Sequence, residues 1–163
     1  MMFPVDLLMR AEKLLESSRA QSLRIATAES CTGGLIAALL TEIPGSSDVF
    51  GRGFVTYSNQ AKQDMLGVPA ATLRQHGAVS EAVARLMAEG AVRNSTAQMS
   101  VAVTGVAGPG GGTDEKPVGL VHIAVARAGE PTIHRECRFG GIGRGEIRLK
   151  SVETALEMLQ SLM

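Results

Sequence analysis

Apolar positions recur along this chain at two spacings, and each spacing predicts a different kind of secondary structure. Between residues 5 and 18 the apolar side chains return every three or four residues, which predicts an amphipathic helix with one buried face. Similar patterns, with capping residues at Ser58 and Ser80, predict helices over 33–43, from Ser58 to Gly67, over 81–94 and over 146–162. Short apolar runs predict strands at 23–27, 50–57, 99–104, 118–127 and 132–139, the last two joined as a hairpin.

Strands and helices alternate along most of the chain before the hairpin and a final helix. This order predicts an α/β fold with three layers, α/β/α, built on a mixed, mostly parallel sheet with a C-terminal hairpin and a closing helix. A length of 163 residues fits one domain, so residues 1–163 are predicted to form a single unit. Functional loops in such sheets gather beyond the carboxyl ends of the strands, which directs attention to segments 28–34, 57–62 and 104–113.

The composition argues against several classes of function. Lys plus Arg and Asp plus Glu number 16 each, so the basic surplus typical of nucleic-acid-binding domains is missing. The longest apolar run, residues 35–40, is far shorter than a membrane span, and the first residues show no signal-peptide pattern. The two cysteines, Cys31 and Cys137, form no CxxC motif, so we expect a cytoplasmic protein without a disulfide framework and without a bound metal.

The first candidate for chemistry is the segment 28–34, AESCTGG, at a predicted strand-to-helix turn. Ser30 or Cys31 could act there as a nucleophile, and the free N–H groups at the start of the following helix could stabilise an oxyanion. The common alternative is structural: Ser30 or Thr32 caps the helix, and Cys31 is a small core residue. Spacing alone favours this structural role.

The second candidate is the segment 57–62, YSNQAK, which follows a predicted strand. Tyr57 is the only tyrosine, and Lys62 lies about one helical turn after Ser58. A desolvated lysine has a lowered pKa and can act as a general base, and Ser–Lys pairs replace Ser–His–Asp triads in some hydrolases. A solvated lysine on a helix surface is the ordinary alternative.

The third candidate is a loop with five glycines between residues 105 and 112, placed between Thr104 and Thr113. Backbone N–H groups in such a loop can surround a phosphate or a carboxylate. The loop lacks the GK[ST] ending of a Walker A motif and does not lead into a helix as GxGxxG does. The pattern therefore indicates an anion or nucleotide site of unspecified type, with a surface loop as the alternative.

The fourth candidate is GRGEIR at 143–148, where the last helix begins. The planar guanidinium of Arg144 or Arg148 could bind two oxygens of a phosphate. A solvated helix entrance, with Glu146 favoured by the helix dipole, is an equally good interpretation of these residues.

Six segments carry a family resemblance when they are taken together. They are AESCTGGL at 28–35, VTYSNQAK at 55–62, GAVSEAVA at 77–84, TGVAGPGG at 104–111, KPVGLVHIA at 116–124 and RGEIR at 144–148. In this order they resemble the C-terminal domain of the competence/damage-inducible protein CinA, and the resemblance covers nearly the whole chain. Stand-alone versions of that domain act as nicotinamide-nucleotide amidohydrolases.

The resemblance implies a three-layer α/β/α fold and hydrolysis of a carboxamide, namely nicotinamide mononucleotide, to nicotinic acid mononucleotide and ammonia. Ser30 matches the nucleophile, Lys62 the base and Tyr57 the hydroxyl that supports the base. Candidate substrate-binding positions are Thr32, Gly33, Gly34, Thr104, Gly105, Gly108, Gly110, Arg144 and Arg148. Arg144 departs from the family pattern, because Gly143 stands before it where Asp or Asn is usual.

Two other functions stay open at this point. A nucleotide-binding module without catalysis would use every motif except the combination of Ser30 with Lys62, and an amidohydrolase of another carboxamide would use them all. Glu29 could orient Lys62 or a ribose, or form an ordinary salt bridge. We expect a small-molecule nucleotide as ligand, a homo-oligomer, no nucleic-acid or membrane partner and no cofactor.

Overall fold

The computed structural model describes residues 2–163, which form one five-stranded sheet with six α-helices. The strands are β1 (Ile25–Glu29), β2 (Phe50–Val55), β3 (Met99–Gly105), β4 (Leu120–Arg127) and β5 (Ile133–Arg138). The helices are α1 (Val5–Ala20), α2 (Leu35–Glu42), α3 (Asn59–Leu66), α4 (Ala70–His76), α5 (Glu81–Arg93) and α6 (Arg144–Gln160). In this described range no helix has both the length and the apolar character needed to cross a bilayer.

The sheet is mixed, with the strand order β2-β1-β3-β4-β5. β1 pairs in parallel with both β2 and β3, whereas β4 runs antiparallel to β3 and β5. Four strands therefore point in one direction and only β4 is reversed. Glu29 is paired with Val55 of β2 and with Val103 of β3, so the carboxyl ends of these three strands meet at one edge of the sheet. The predicted three-layer α/β/α fold is confirmed.

The two faces of the sheet carry side chains of different size because successive residues of a strand point to opposite faces. Branched residues such as Val101 and Ile123 pack against α1, α2 and α6. Alanines such as Ala102 and Ala124 face α3, α4 and α5 on the other side. The small side chains leave room for α5 to lie close to the sheet, and the helices complete the two outer layers.

The predicted caps and helix ends are largely confirmed. The Ser58 hydroxyl accepts a hydrogen bond from the N–H of Ala61, and the Ser80 hydroxyl accepts one from the N–H of Val83. Helix α2 begins at Leu35 rather than at residue 33, because Gly33 and Gly34 have φ values of 56° and 100°, which a right-handed helix does not use. Helix α4 was not predicted, since only one of its side chains, Leu73, is buried.

Candidate active site

A cleft of about 220 Å³ opens at the edge where the carboxyl ends of β1, β2 and β3 meet. The chain leaves β1 toward the layer that contains α2, and it leaves β2 toward the opposite layer, which contains α3. A crevice forms between adjacent strands whose connections depart in this way. Its lining residues are Ser30, Cys31, Tyr57, Asn59, Lys62, Ala78, Val79, Thr104, Gly105, Ala107 and Arg144.

Ser30 and Lys62 meet inside this cleft although 32 positions separate them in the sequence. Ser30 follows the last residue of β1, and Lys62 lies on α3 with its side chain only 1% exposed. The Lys62 Nζ lies 3.0 Å from the Ser30 Oγ. Burial lowers the pKa of the Lys62 ammonium below its ordinary value, because the charged form loses its hydration. At a given pH, a larger fraction of Lys62 is therefore the neutral amine, which can accept a proton, than would be the case for an exposed lysine.

Two backbone carbonyls fix the orientation of the Lys62 amine. Its Nζ donates to the carbonyl oxygen of Thr56 at 2.8 Å and to that of Tyr57 at 3.4 Å. A neutral amine has two N–H bonds and one lone pair. With both N–H bonds directed at the carbonyls, the lone pair faces the remaining neighbour, the Ser30 hydroxyl. This arrangement suits the transfer of a proton from serine to lysine.

Cys31, the neighbouring nucleophile candidate, has a buried thiol that stays protonated at neutral pH. Its side chain is 8% exposed, and burial raises the pKa of its thiol to about 11. The thiolate is the nucleophilic form of cysteine, so this thiol is held in its unreactive form at neutral pH. Of the two adjacent candidates, only Ser30 is hydrogen-bonded to a potential base.

Within residues 2–163 Glu29 neither contacts Lys62 nor forms a salt bridge, so two of the roles considered for it are wrong. Its buried carboxylate accepts hydrogen bonds from the backbone N–H groups of Ile36 and Ala37, at 2.9 and 3.1 Å. These are the first free N–H groups of α2, so the helix start that was predicted to hold an oxyanion is already occupied. Glu29 instead ties α2 to the end of β1 and so fixes the turn that follows Ser30.

Tyr57 and Arg144 close one side of the cleft together. Tyr57 is 59% exposed, and its hydroxyl accepts a hydrogen bond from Arg144 Nη2 at 3.2 Å. Arg144 Nη1 donates to the carbonyl oxygen of Gly108 at 2.8 Å. Lys62 contacts the main chain of Tyr57 and not its hydroxyl. Arg144, the first residue of α6, thus links Tyr57 to the Gly-rich loop.

The Gly-rich loop contributes unequally to the cleft. Thr104 and Gly105, at the end of β3, line the cleft, and the buried Thr104 hydroxyl donates to the carbonyl oxygen of Ala78 at 2.9 Å. Gly108 reaches the site through its carbonyl oxygen, which Arg144 binds. Gly110 is exposed and does not line the cleft.

Arg148, a predicted substrate contact, does not line the cleft. Its Nε donates to the carbonyl oxygen of Cys31 at 3.1 Å, and its Nη2 donates to that of Thr32 at 3.2 Å. Gly33 lies beside this guanidinium, since a Cβ on Gly33 would be 3.4 Å from Arg148 Nη2. The Arg148 guanidinium therefore holds the turn that follows Ser30 and links it to α6. Thr32, Gly33 and Gly34 form that turn and do not line the cleft.

Four lining residues were not named individually as candidates from the sequence, namely Asn59, Ala78, Val79 and Ala107. All four stand inside or beside the family-like segments, which was the one available signal. Within residues 2–163 no group of three or more His, Cys, Asp or Glu side chains is placed to hold a metal ion.

Comparison with known proteins connects this site with one family. Residues 8–163 match the CinA C-terminal domain. The nicotinamide-nucleotide amidohydrolase PncC of Escherichia coli K12 is 47% identical over 155 residues, which cover 94% of this chain and 93% of that protein. A CinA-like protein of Syntrophobacter fumaroxidans is 52% identical over 144 residues, or 88% of this chain, and the chain spans about a third of the length of this longer relative.

Solved structures show the same architecture. The competence/damage inducible protein CihA of Agrobacterium tumefaciens has a TM-score of 0.98 and 56% identity, covering 99% of this chain and 98% of that one. A CinA superfamily protein of Escherichia coli has a TM-score of 0.92 and 35% identity, covering 100% of this chain and 94% of the other.

Proposed function

The chain belongs to the CinA C-terminal domain family, and we propose that it is an amidohydrolase that converts nicotinamide mononucleotide into nicotinic acid mononucleotide and ammonia. The PncC relative, which carries this type of activity in its name, is matched over almost its full length. The observation that carries the proposal is the buried Ser30–Lys62 contact of 3.0 Å, which pairs a nucleophile with a base at the floor of a cleft.

In the first step, Ser30 Oγ attacks the carbon of the carboxamide while its proton passes to the lone pair of Lys62 Nζ. The carboxamide oxygen becomes a tetrahedral oxyanion. Because Glu29 occupies the N–H groups of Ile36 and Ala37, this oxyanion needs other donors. The backbone N–H of Cys31, the residue after the nucleophile, donates to no backbone carbonyl within residues 2–163 and is our candidate donor.

In the second step, the protonated Lys62 returns its proton to the amide nitrogen, the C–N bond breaks and ammonia leaves. Ser30 is then esterified by the carboxyl group of nicotinic acid mononucleotide. Water, deprotonated by the neutral Lys62, attacks the ester carbon, and the acid is released as Ser30 regains its proton. Lys62 takes up a proton from Ser30 and later from water, and it returns each one, first to the amide nitrogen and then to Ser30. The net reaction therefore consumes one water molecule.

The decisive experiment measures ammonia release across a panel of pyridine nucleotides, with and without a chelator. The proposal expects release from nicotinamide mononucleotide that a chelator does not prevent. Binding of the nucleotide without ammonia release would instead support a non-catalytic module. Ammonia release only from an unrelated carboxamide would support amide hydrolysis but contradict nicotinamide mononucleotide as the substrate.

We predict that the mononucleotide is preferred to nicotinamide riboside, which lacks the phosphate. Arg144 and the backbone of the Gly-rich loop are the candidate phosphate ligands at the cleft. Each charge-assisted hydrogen bond contributes about 1.5–3 kcal/mol, so losing two lowers kcat/KM about a hundredfold or more. The measurement is kcat/KM for both substrates with the wild-type protein.

Two variants locate the phosphate contact. Arg144→Gln should lower kcat/KM more for the mononucleotide than for the riboside, because only the mononucleotide has a phosphate to lose. Gly108→Val should also weaken binding of the mononucleotide, because the valine would distort the loop. Gly108 has a φ of 77°, and a Cβ at this position would lie 2.6 Å from Val118 Cγ1. Equal efficiency on both substrates in the wild type would contradict phosphate recognition by this loop.

We predict a positioning role for Arg148 in place of a phosphate contact. Arg148→Gln should lower kcat about tenfold or more while KM for the mononucleotide changes little, because the turn that carries Ser30 loses two charge-assisted hydrogen bonds. Arg127→Gln is the matched control, since Arg127 also binds a carbonyl, that of Leu162, far from the cleft. A rise in KM for the mononucleotide but not for the riboside would mean that Arg148 binds phosphate after all.

A further inference from the structure

A small polar hollow of about 90 Å³ lies at the other end of the sheet from the cleft. It is placed where β1 and β2 begin and where the loop 95–97 leads toward β3. Arg24 and Arg52 both line it, and none of the side chains that line it is a carboxylate. Two arginines therefore line one small space whose lining residues include no carboxylate.

The main chain of Arg24 is firmly held, whereas its side chain has no partner. Arg24 N–H donates to the Gln98 Oε1 at 2.7 Å, and its carbonyl oxygen accepts from the N–H groups of Gln98 and Met99. Within residues 2–163 the guanidinium makes no hydrogen bond or ion pair, and its Nε is closed to solvent. A buried donor without an acceptor costs free energy, so this group needs an acceptor that the chain does not supply.

Two carbonyl oxygens near the hollow already accept hydrogen bonds from other side chains. Arg52 Nη1 binds the carbonyl oxygen of Asn94 at 2.6 Å, and the Gln98 side chain binds that of Thr96 at 3.3 Å. Asp48 is near enough for Arg24 to contribute to its lowered pKa, but Arg19 is the main cause and holds both carboxylate oxygens, at 2.7 and 3.0 Å. Asp48 is therefore paired with Arg19, and within residues 2–163 Arg24 forms no ion pair of its own.

The backbone makes room for the Arg24 guanidinium. The pairing of β1 with β2 shifts by one residue, from Ile25 opposite Phe50 to Ala26 opposite Arg52, which leaves Gly51 as an extra residue. A Cβ on Gly51 would lie 2.9 Å from Arg24 Nη2. Any larger residue would displace the guanidinium, so the glycine at this bulge determines where the positive charge lies.

We propose that this hollow binds a small oxyanion, a phosphate group in particular, between Arg24 and Arg52. The planar fork of arginine matches the oxygens of a phosphate, and two arginines together supply both charge and direction. The volume corresponds to a few water molecules, which suits one phosphate group and not a whole nucleotide. This inference does not rest on the proposed amide hydrolysis.

The test is a titration with inorganic phosphate at constant ionic strength, followed by ¹H–¹⁵N spectra of the 17.0 kDa chain. The expected result is a saturable shift of the Arg24 Nε–H and of the Gly51 and Ala97 amides. Arg24→Gln and Arg52→Gln should each weaken the affinity about ten- to a hundredfold. Arg74→Gln, which removes an exposed charge outside the hollow, should leave the affinity unchanged.

Three results would overturn the proposal. Chloride at the same ionic strength could produce the same shifts, which would mean simple screening. The shifts could survive in both the Arg24 and Arg52 variants, or they could occur only at Gly105 and Ala107, in the cleft. Repeating the titration with ribose 5-phosphate distinguishes free phosphate from a phosphate ester as the occupant, and the spectra of each variant report directly whether it is folded.

Discussion

Replacing Ser30 with alanine is expected to abolish ammonia release while leaving the protein folded. Ser30 supplies the attacking oxygen, and loss of the nucleophile in enzymes of this kind lowers kcat by about a thousandfold or more. The stability cost should be small, because the lost side chain makes one hydrogen bond, to Lys62, with a net contribution of about 1 kcal/mol. Steady-state kinetics and thermal unfolding of the same preparation measure both effects.

Cys31→Ala is the matched control for this variant. It removes a group of similar size from the adjacent position, whose thiol has a pKa raised to about 11 by burial. We expect it to retain most of the activity. The opposite result, an inactive Cys31→Ala protein beside an active Ser30→Ala protein, would assign the attack to the thiol.

The acyl-enzyme gives a third and independent measurement. Acid quenching during turnover, followed by peptide mass spectrometry, should find an ester of nicotinic acid mononucleotide on the peptide that contains Ser30. An ester on another residue would not be compatible with Ser30 as the nucleophile.

Local sequence patterns predicted most of the fold because the signals for it are local. Hydrophobic spacing places the helices and strands, and the hydroxyls of Ser58 and Ser80 mark helix starts by binding N–H groups three residues later. Helix α4 escaped prediction because it buries little apolar surface. Gly33 and Gly34 were predicted as substrate-binding positions, but neither lines the cleft, and their positive φ values instead shape the turn and shift the start of α2.

The contacts that complete the site could not be predicted in the same way. Arg148 reaches Cys31 across 117 positions, and Arg144 reaches Tyr57 across 87. Such contacts depend on how α6 packs against the sheet, which no local spacing encodes. The same holds for Glu29: its carboxylate is one residue from Ser30, but its direction follows from the alternation of faces along β1, which points it at α2.

Replacing Lys62 is expected to remove most of the activity whatever the length or charge of the new side chain. Lys62→Met keeps the length without a base, and Lys62→Arg keeps a positive charge that cannot be lost near neutral pH. Both should lower kcat by about a hundredfold or more, the usual contribution of a general base. A Lys62→Arg protein with activity near that of the wild type would show that a cation, not a base, is needed at this position.

The pH dependence of the wild type follows from the direction of the Lys62 pKa. The active form carries a neutral amine, so kcat/KM should rise with pH until Lys62 is deprotonated and should fall as acid protonates it. Because burial lowers this pKa, the rising limb should lie at lower pH than an exposed lysine would give. The residual activity of Lys62→Met should lack this limb, and an unchanged limb in that variant would assign the titration to another group.

The protonation of Lys62 should also change the free energy of unfolding, which can be measured without substrate. Between the lowered pKa of the folded state and the ordinary pKa of the unfolded state, the unfolded chain binds more protons at Lys62 than the folded chain does. The free energy of unfolding of the wild type should therefore rise with pH through this window, and it should lose that increment as pH falls. Lys62→Met has no proton to bind in either state, so its unfolding free energy should have a smaller slope in the same range. Denaturant unfolding of both proteins across this pH range measures the difference. Parallel curves would show that Lys62 keeps its ordinary pKa in the folded protein, and a lysine that is protonated in the resting state could not accept the proton of Ser30.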